Sequence, residues 1–253
     1  MRLDQHLAAC RLAGRVATPV AACTENARRL VDGDPDCTFG LSDWQDATYE
    51  DVVEALERCG VDLSGPPGDP GALPRIDPAV AASAIGRQRR LLARVAASKG
   101  RVLLATGHAF ALLPHYAAIA RALAAAGCQV LRPLDAVRDT VRVSGGRDGS
   151  IRFFDGVGSL VVHGDLLHSH RPDAMQAMLD ELGGRSGLDL VVGDHGFAGA
   201  AVEAGIPTAS IADVNDPALP LAQLRGRTDG VVVLDDGLAA SAYEPVTAAV
   251  LAF

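Results

Sequence analysis

Residues 188–219 read LDLVVGDHGFAGAAVEAGIPTASIADVNDPAL, and this stretch decides the fold of the 253-residue chain. Apolar runs over 188–192 and 209–212 have the composition of buried strands, and the small residues between them predict a helix. Strand, helix and strand in this order predict parallel neighbours joined by a right-handed crossover. Each run ends in acidic residues, and parallel strands place their carboxyl ends at one edge of a sheet, where ligands bind.

The acidic residues at these strand ends predict a metal site. Carboxylates gathered at one edge repel one another unless a cation or a proton relieves the repulsion, and oxygen ligands suit hard divalent cations. The candidate ligands are Asp194, Asp213, Asn215, Asp216 and, after the last strand, Asp235. We expect manganese, magnesium, cobalt or nickel. The alternative is local structure, because Asp often caps helices and Asn-Asp-Pro is a turn sequence.

The same alternation of strands and helices extends through residues 99–253. Further apolar runs cover residues 102–105, 129–131, 160–162 and 230–234. Six strands in this order predict an α/β fold: a doubly wound, mostly parallel, Rossmann-like sheet. A β-hairpin is predicted within 140–158, with the turn over 144–150. Apolar residues in 1–98 recur mainly at helical spacing, so we expect an N-terminal helical cap region ahead of the domain that carries the site.

Histidines follow several of the predicted strands. His108, His170 and His195 are candidate catalytic residues, because histidine can orient a phosphate or protonate a leaving oxygen near neutral pH. His168 is a candidate substrate-binding residue. One residue apart in an extended segment, His168 and His170 face the same side and offer a transition-metal site. Local hydrogen bonding between two loop histidines is the alternative.

Three further residues are candidates for binding the substrate. Gly107 follows the first strand of the α/β region, where free N–H groups at a helix start favour an anion. The planar guanidinium of Arg171 suits a phosphate. Tyr243 follows the last strand and is expected to line the pocket.

Composition excludes several classes of protein. There are 23 basic and 31 acidic residues, and the net charge of −8 argues against nucleic-acid binding, which needs a basic surface. The mean hydropathy is +0.18, and no apolar run is long enough to span a membrane. The five cysteines include no CxxC pair, which favours reduced thiols and a cytoplasmic location. A homodimer stays open.

Several motifs together resemble a family of bacterial, mainly actinobacterial, phosphatases. They are LAGRVATP (12–19), GL (40–41) with Trp44, ATGH (105–108) with LL (112–113), HSHRPDAM (168–175), DHGFAG (194–199), ADVNDPAL (212–219) and LDD (234–236). The resemblance spans most of the chain. A helical region ahead of a Rossmann-like metal domain is also similar, in architecture only, to the metal-dependent damage-control phosphatases.

The chain departs from that family's pattern in two places. VAAC stands at 20–23, where the family tends to have a polar run, and AFA stands at 109–111 in place of Pro-Gly-Gly. Both changes introduce apolar residues, so we expect a specialised member of the family, with secondary metabolism as the hypothesis for its role.

The residues and the resemblance together predict a metal-dependent phosphatase that hydrolyses a phosphomonoester of a small metabolite. Two alternatives stay open. One is a metal-dependent lyase, isomerase or other hydrolase that uses the same site on a non-phosphate substrate. The other is a non-catalytic protein that binds a small molecule.

Overall fold

A mostly parallel sheet with helices packed against it forms the centre of the mixed α/β structure. This computed structural model describes residues 2–64, 69, 71–135, 137–138, 140–143, 147–185 and 187–253. The N-terminal part contains α1 (Leu3–Ala9), β1 (Gly14–Arg15), α2 (Val20–Val31), α3 (Pro35–Thr38), α4 (Tyr49–Arg58), β2 (Val61–Asp62), β3 (Arg75–Ile76) and α5 (Pro78–Ser98). A 3₁₀ turn, Asp43–Asp46, precedes α4.

The remainder alternates between strands and helices. It contains β4 (Arg101–Thr106), α6 (Ala109–Ala125), β5 (Gln129–Val130), β6 (Val141–Val143), β7 (Arg147–Phe154), β8 (Val157–Val162), β9 (Asp165–Leu166), α7 (Asp173–Glu181), β10 (Leu190–Asp194), α8 (His195–Glu203), β11 (Thr208–Ala212), α9 (Ala218–Leu224), β12 (Gly230–Val233) and α10 (Glu244–Val250). A second 3₁₀ turn, Ala240–Tyr243, leads into α10. All six predicted strands are therefore confirmed, as β4, β5, β8, β10, β11 and β12.

The main sheet has the strand order β12-β11-β10-β4-β8-β7-β6, with β5 paired to β4 and β9 paired to β8. Strands β12, β11, β10, β4, β5 and β8 are mutually parallel, whereas β6, β7 and β9 run antiparallel to their neighbours. The antiparallel pairing of β6 with β7 confirms a hairpin in this region, but the predicted turn over 144–150 is too long. Residues 147–150 belong to β7, where Arg147 pairs with Val143 and Gly149 with Val141. Residues 144–146 of its predicted turn lie outside the described residues.

The register of the parallel strands determines which residues at the strand ends lie close together. Asp194 lies opposite Ile211 across the β10–β11 ladder, so Asp194 and Asp213 leave the sheet at the same edge. Gly107 leaves the neighbouring strand β4 there as well, since Val192 is level with Leu104. All five residues of β10 and all five of β11 are buried, as expected for strands covered on both faces.

The N-terminal helices share their apolar cores with the sheet. Leu7 and Ile85 belong to the same buried cluster as Leu104, and Phe39 belongs to a second cluster with Ala198 of α8. A small antiparallel sheet in the order β1-β3-β2 also lies in this region. Its strands have two residues each, too short to show the alternation from which strands are predicted. None of the helices in the described ranges is long and apolar enough to cross a membrane.

His115 in α6 is buried against α10 and makes stability depend on pH. Its Nδ1 lies 2.7 Å from Thr247 Oγ1, its Nε2 has no hydrogen-bond partner in the described structure, and burial lowers its pKa to about 4. The folded state therefore favours neutral His115. This contribution is complete above the unfolded pKa of about 6.5 and is lost as the pH falls from there towards 4.

We expect His115→Leu to reduce the acid sensitivity of the fold. Between pH 7 and pH 5, the wild type loses about 2 kcal/mol of unfolding free energy through this group, and the variant loses none of it. Thr247 Oγ1 still donates to the Tyr243 carbonyl in the variant. Urea denaturation at both pH values measures the difference, and equal losses in the two proteins would refute this assignment.

Candidate metal centre and adjoining cavity

Asp194 ends β10 with both carboxylate oxygens engaged. Oδ1 accepts a hydrogen bond from the Gly107 N–H at 2.7 Å and lies 3.1 Å from His195 Nδ1. Oδ2 accepts from Thr106 Oγ1 at 2.5 Å, and the whole side chain is buried. These contacts hold the end of β4 and the ring of His195, and the role of Asp194 as a metal ligand stays a prediction. Gly107 was predicted to bind an anion, but its N–H is used by this contact.

His195 begins α8 in a left-handed backbone conformation, with φ of +43°. Its Nε2 lies 3.0 Å from Asp216 Oδ2 and 3.4 Å from Asp236 Oδ2, so carboxylates face both ring nitrogens. Burial lowers the pKa of His195, but Asp216 and Asp194 outweigh burial and hold that pKa well above its usual value. In the absence of a metal, the imidazolium form matches this environment best.

Two glycines bring the segment that carries His168 and His170 against these strand ends. The Ser169 N–H donates to the Gly107 carbonyl at 3.1 Å, and a Cβ on Gly107 would lie 2.3 Å from the Ser169 oxygen. A Cβ on Gly196 would lie 2.3 Å from the backbone of Arg171. Any larger residue at either glycine would push the segment away, so the glycines explain why its histidines reach His195.

His168, His170 and His195 offer ligand atoms that all lie within 4.8 Å of one another. The His170 and His195 rings stack with centroids 4.5 Å apart. His170 Nδ1 lies 2.9 Å from the carbonyl oxygen of Asp36 and must donate to it, which leaves Nε2 without a proton on the neutral ring. That Nε2 is 2.9 Å from His168 Nε2. Burial and the neighbouring histidines lower the pKa of His168 to about 4, so its ring is neutral and able to bind a metal at pH 7.

His108, His195 and Asp236 form a second group of potential ligands. His108 Nδ1 lies 3.1 Å from Asp236 Oδ2, but the contact is poorly aligned and leaves both atoms without a hydrogen-bond partner in the described structure. Burial lowers the pKa of His108, and Asp236 outweighs this effect and raises it overall. A proton or a metal ion between His108 Nδ1 and Asp236 Oδ2 would give both atoms a partner.

Asp236 rather than Asp235 faces the histidines. Asp235 Oδ2 accepts from the Ala17 N–H at 3.3 Å and Oδ1 from the Gly237 N–H at 3.1 Å, so this side chain closes a turn. Tyr243 is fully buried and donates to the Asp235 carbonyl at 2.7 Å. Tyr243, predicted to line the pocket, therefore supports the turn that carries Asp236.

The segment after β11 places its three predicted ligands differently. Asp216 contacts His195 directly. Asp213 Oδ2 accepts a hydrogen bond from Thr18 Oγ1 at 3.2 Å, whereas the buried Oδ1 has no hydrogen-bond partner in the described structure. Burial, together with the nearby Asp236 and Asp216, raises the pKa of Asp213 well above its usual range. Asn215 is half-buried, and its backbone carbonyl accepts from Asn26 Nδ2.

A cavity of about 620 Å³ adjoins His168 and His170. Arg29 and Arg171 line it, and each contacts one carboxylate: Arg29 pairs with Asp34 at 2.9 Å and Arg171 with Asp173 at 3.4 Å. The remaining lining residues are Asn26, Asp36, Cys37, Val141, Arg142, Leu160, Leu167, Ser169, Asp173 and Ala174. Guanidinium groups beside imidazoles suit a phosphate ester.

Comparisons with known proteins identify the family of the chain. A family model described as "Phosphatase" matches residues 1–253. "Phosphatase SCO2771" of Streptomyces coelicolor is 37% identical over 257 residues, which cover 98% of this chain and 94% of that protein. No solved structure matches. The chain belongs to this family of bacterial phosphatases.

Proposed function

We propose that the protein is a metal-dependent phosphatase that hydrolyses a phosphomonoester of a small metabolite. Its family and the name of its relative support phosphatase activity. The observation that supports metal dependence is the convergence of His168, His170 and His195 beside a cavity with two arginines. The strand order supports a doubly wound, Rossmann-like sheet, because the chain moves outward from β4 to β8 and then crosses back to β10 on the other side. Such a reversal marks the ligand crevice.

The donor set fits a divalent transition metal. His195 and His170 each direct Nδ1 to an oxygen acceptor, the Asp194 carboxylate and the Asp36 carbonyl, which leaves Nε2 as the nitrogen that can bind a metal. This arrangement is typical of metal-binding histidines. His195 Nε2 lies 3.0 Å from Asp216 Oδ2, so a metal would take the place of the proton between these two atoms. Imidazole nitrogens favour zinc, cobalt or nickel, whereas magnesium and manganese prefer oxygen ligands. His168, His170 and His195 would therefore hold the ion.

Each part of the site has a role in this proposal. When bound, the metal lowers the pKa of a coordinated water and offsets negative charge on the phosphoryl oxygens. Arg29 and Arg171 bind the phosphate and hold it against the histidines. The Asp194 carboxylate orients the ring of His195. Gly196, which lacks a side chain, lets the 168–171 segment pack close to that ring. His108, beside Asp236, holds the proton that the leaving oxygen needs.

A second arrangement would place an additional ion at His108 and Asp236, the members of the second group other than His195, because His195 Nε2 can bind only one ion. Two neighbouring ions can stabilise both the attacking and the leaving oxygen of a phosphoryl transfer. The number of ions per chain, measured by elemental analysis of the purified protein, distinguishes the two arrangements. One ion supports a proton on His108, and two ions support the additional site.

A chelation and reconstitution assay tests the proposed function. Metal-stripped protein should release no phosphate from 4-nitrophenyl phosphate, and cobalt, nickel or zinc should restore turnover better than manganese or magnesium does. Metal binding without phosphate release would favour the lyase, isomerase or other hydrolase alternative. Failure to bind any of these metals would favour a non-catalytic binding protein. Undiminished turnover after complete stripping would contradict metal dependence.

Asp194→Asn separates an orienting role from a ligand role. The amide of asparagine keeps the shape of the side chain, but its N–H₂ group replaces one oxygen that accepts from Thr106 or Gly107. Because Asp194 acts through His195, we expect metal affinity to fall by about 10- to 100-fold rather than vanish. Titration with a competing chelator measures the change. Complete loss of binding in a folded variant would instead identify Asp194 as a ligand.

A further inference from the structure

The cavity beside His168 and His170 is larger than a phosphate and a short alcohol require. Its volume of about 620 Å³ lies within the range of about 300–1,000 Å³ that pockets for drug-sized ligands have. A phosphorylated three-carbon alcohol would leave most of this space to water. The size of the cavity therefore indicates a substrate with a substantial organic group attached to its phosphate.

The two sides of the cavity come from different parts of the fold. The charged side includes Arg29 of α2 and Arg171 from the segment before α7. The apolar side is formed by Val141, Leu160 and Leu167. These three belong to, or pack on, one buried apolar cluster of the sheet, so their positions are fixed by the core.

The charged side suits a single anionic group. Both arginines already contact one carboxylate each, so the local charges are nearly balanced before a phosphate binds. Arg142, which also lines the cavity, has Asp148 as an ion-pair partner at 3.2 Å. Each of these three arginines therefore has a carboxylate partner among the described residues, and they do not call for a second phosphate on the substrate.

The three residues that form the apolar side, Val141, Leu160 and Leu167, carry no side-chain group that can make a hydrogen bond. Hydroxyl groups placed against Val141, Leu160 and Leu167 would lose their hydrogen bonds to water without replacement, which costs free energy. An apolar group placed there gains by removal of its surface from water. A sugar or polyol phosphate fits this wall poorly, whereas an aryl or branched alkyl group fits it well.

On the basis of the phosphatase activity proposed above, we infer that the alcohol part of the substrate carries an apolar group that binds against Val141, Leu160 and Leu167. These residues then determine specificity, and the arginines and histidines take the phosphate. The substrate class is a phosphomonoester of an aryl or branched alkyl alcohol.

Binding of two non-hydrolysable phosphonates to the metal-loaded protein tests this inference without relying on turnover. We expect 3-phenylpropylphosphonate to bind about tenfold more tightly than 2,3-dihydroxypropylphosphonate by calorimetry. The isosteric variants Leu167→Asn and Val141→Thr should each lower that ratio at least about threefold. Leu224→Asn is the matched control, because Leu224 of α9 is exposed and lies outside the cavity lining; it should leave the ratio unchanged.

Turnover of the two corresponding alkyl phosphates separates this inference from the proposed function. Both esters have primary alkyl leaving groups, so the difference in leaving-group chemistry is small. Equal affinities, or tighter binding of the diol, would overturn the inference even if both esters are hydrolysed. Preferential binding of the phenyl compound without phosphate release from either ester would uphold the apolar pocket and overturn the phosphatase proposal.

Discussion

Replacing both His168 and His170 with alanine is expected to remove the bound transition metal and to lower kcat/KM at least about a thousandfold. The two residues supply two of the three imidazoles of the main candidate metal site. His195 would remain, but one imidazole among carboxylates cannot hold a transition metal with the same affinity. Elemental analysis after gel filtration and a phosphate-release assay measure the two effects.

His6→Ala is the matched control for the double variant, because His6 lies on α1 and belongs to neither ligand group. It should keep the metal content and activity of the wild type. Circular dichroism and thermal unfolding of the metal-free proteins establish that the double variant is folded. Full metal content with full activity in a folded double variant would show that the centre lies elsewhere.

Gly196→Ala is expected to destabilise the fold by about 2–4 kcal/mol and to weaken metal binding at the same time. The new Cβ would lie 2.3 Å from the Arg171 backbone and 2.4 Å from the His170 carbonyl oxygen. Backbone atoms on both sides leave no flexible side chain to move, so the segment with His170 must shift. Urea denaturation of the metal-free protein and a metal titration measure the two effects separately.

Gly86→Ala provides the comparison for that variant. Gly86 lies within α5, and the nearest atom to an added Cβ is Arg90 Nη1 at 3.8 Å. Alanine there should be neutral or stabilise the helix by up to about 1 kcal/mol. If Gly196→Ala were as stable as Gly86→Ala and bound metal normally, close packing of the 168–171 segment would not be what positions the histidines.

Sequence patterns predict the strands well, because each buried parallel strand is a short apolar run that ends in glycine or a polar residue. They also predict that the ends of β10 and β11 lie at one edge, because parallel register requires it. The pairing of β1, β2 and β3 is not predictable in this way, since two residues show no period. Long-range pairing alone creates that sheet.

The roles of individual site residues depend on hydrogen-bond partners and side-chain directions, which the spacing of residues in the sequence does not predict. Asp194 was predicted as a ligand because it ends a strand, but the end of β4 supplies donors to both of its oxygens. Asp235 and Asp236 are adjacent, and only the backbone after β12 decides that Asp236 faces His195. The sequence signal that was available is the pair Gly107 and Gly196, whose missing side chains allow the HSH segment to reach the sheet edge.

X-ray absorption spectroscopy of the protein loaded with one equivalent of zinc identifies the atoms that bind the metal. We expect imidazole scattering from three histidines at zinc–nitrogen distances of about 2.0–2.1 Å, with a clear loss of that scattering in His170→Ala. A coordination shell made only of carboxylate and water oxygens, unchanged in His170→Ala, would contradict this expectation.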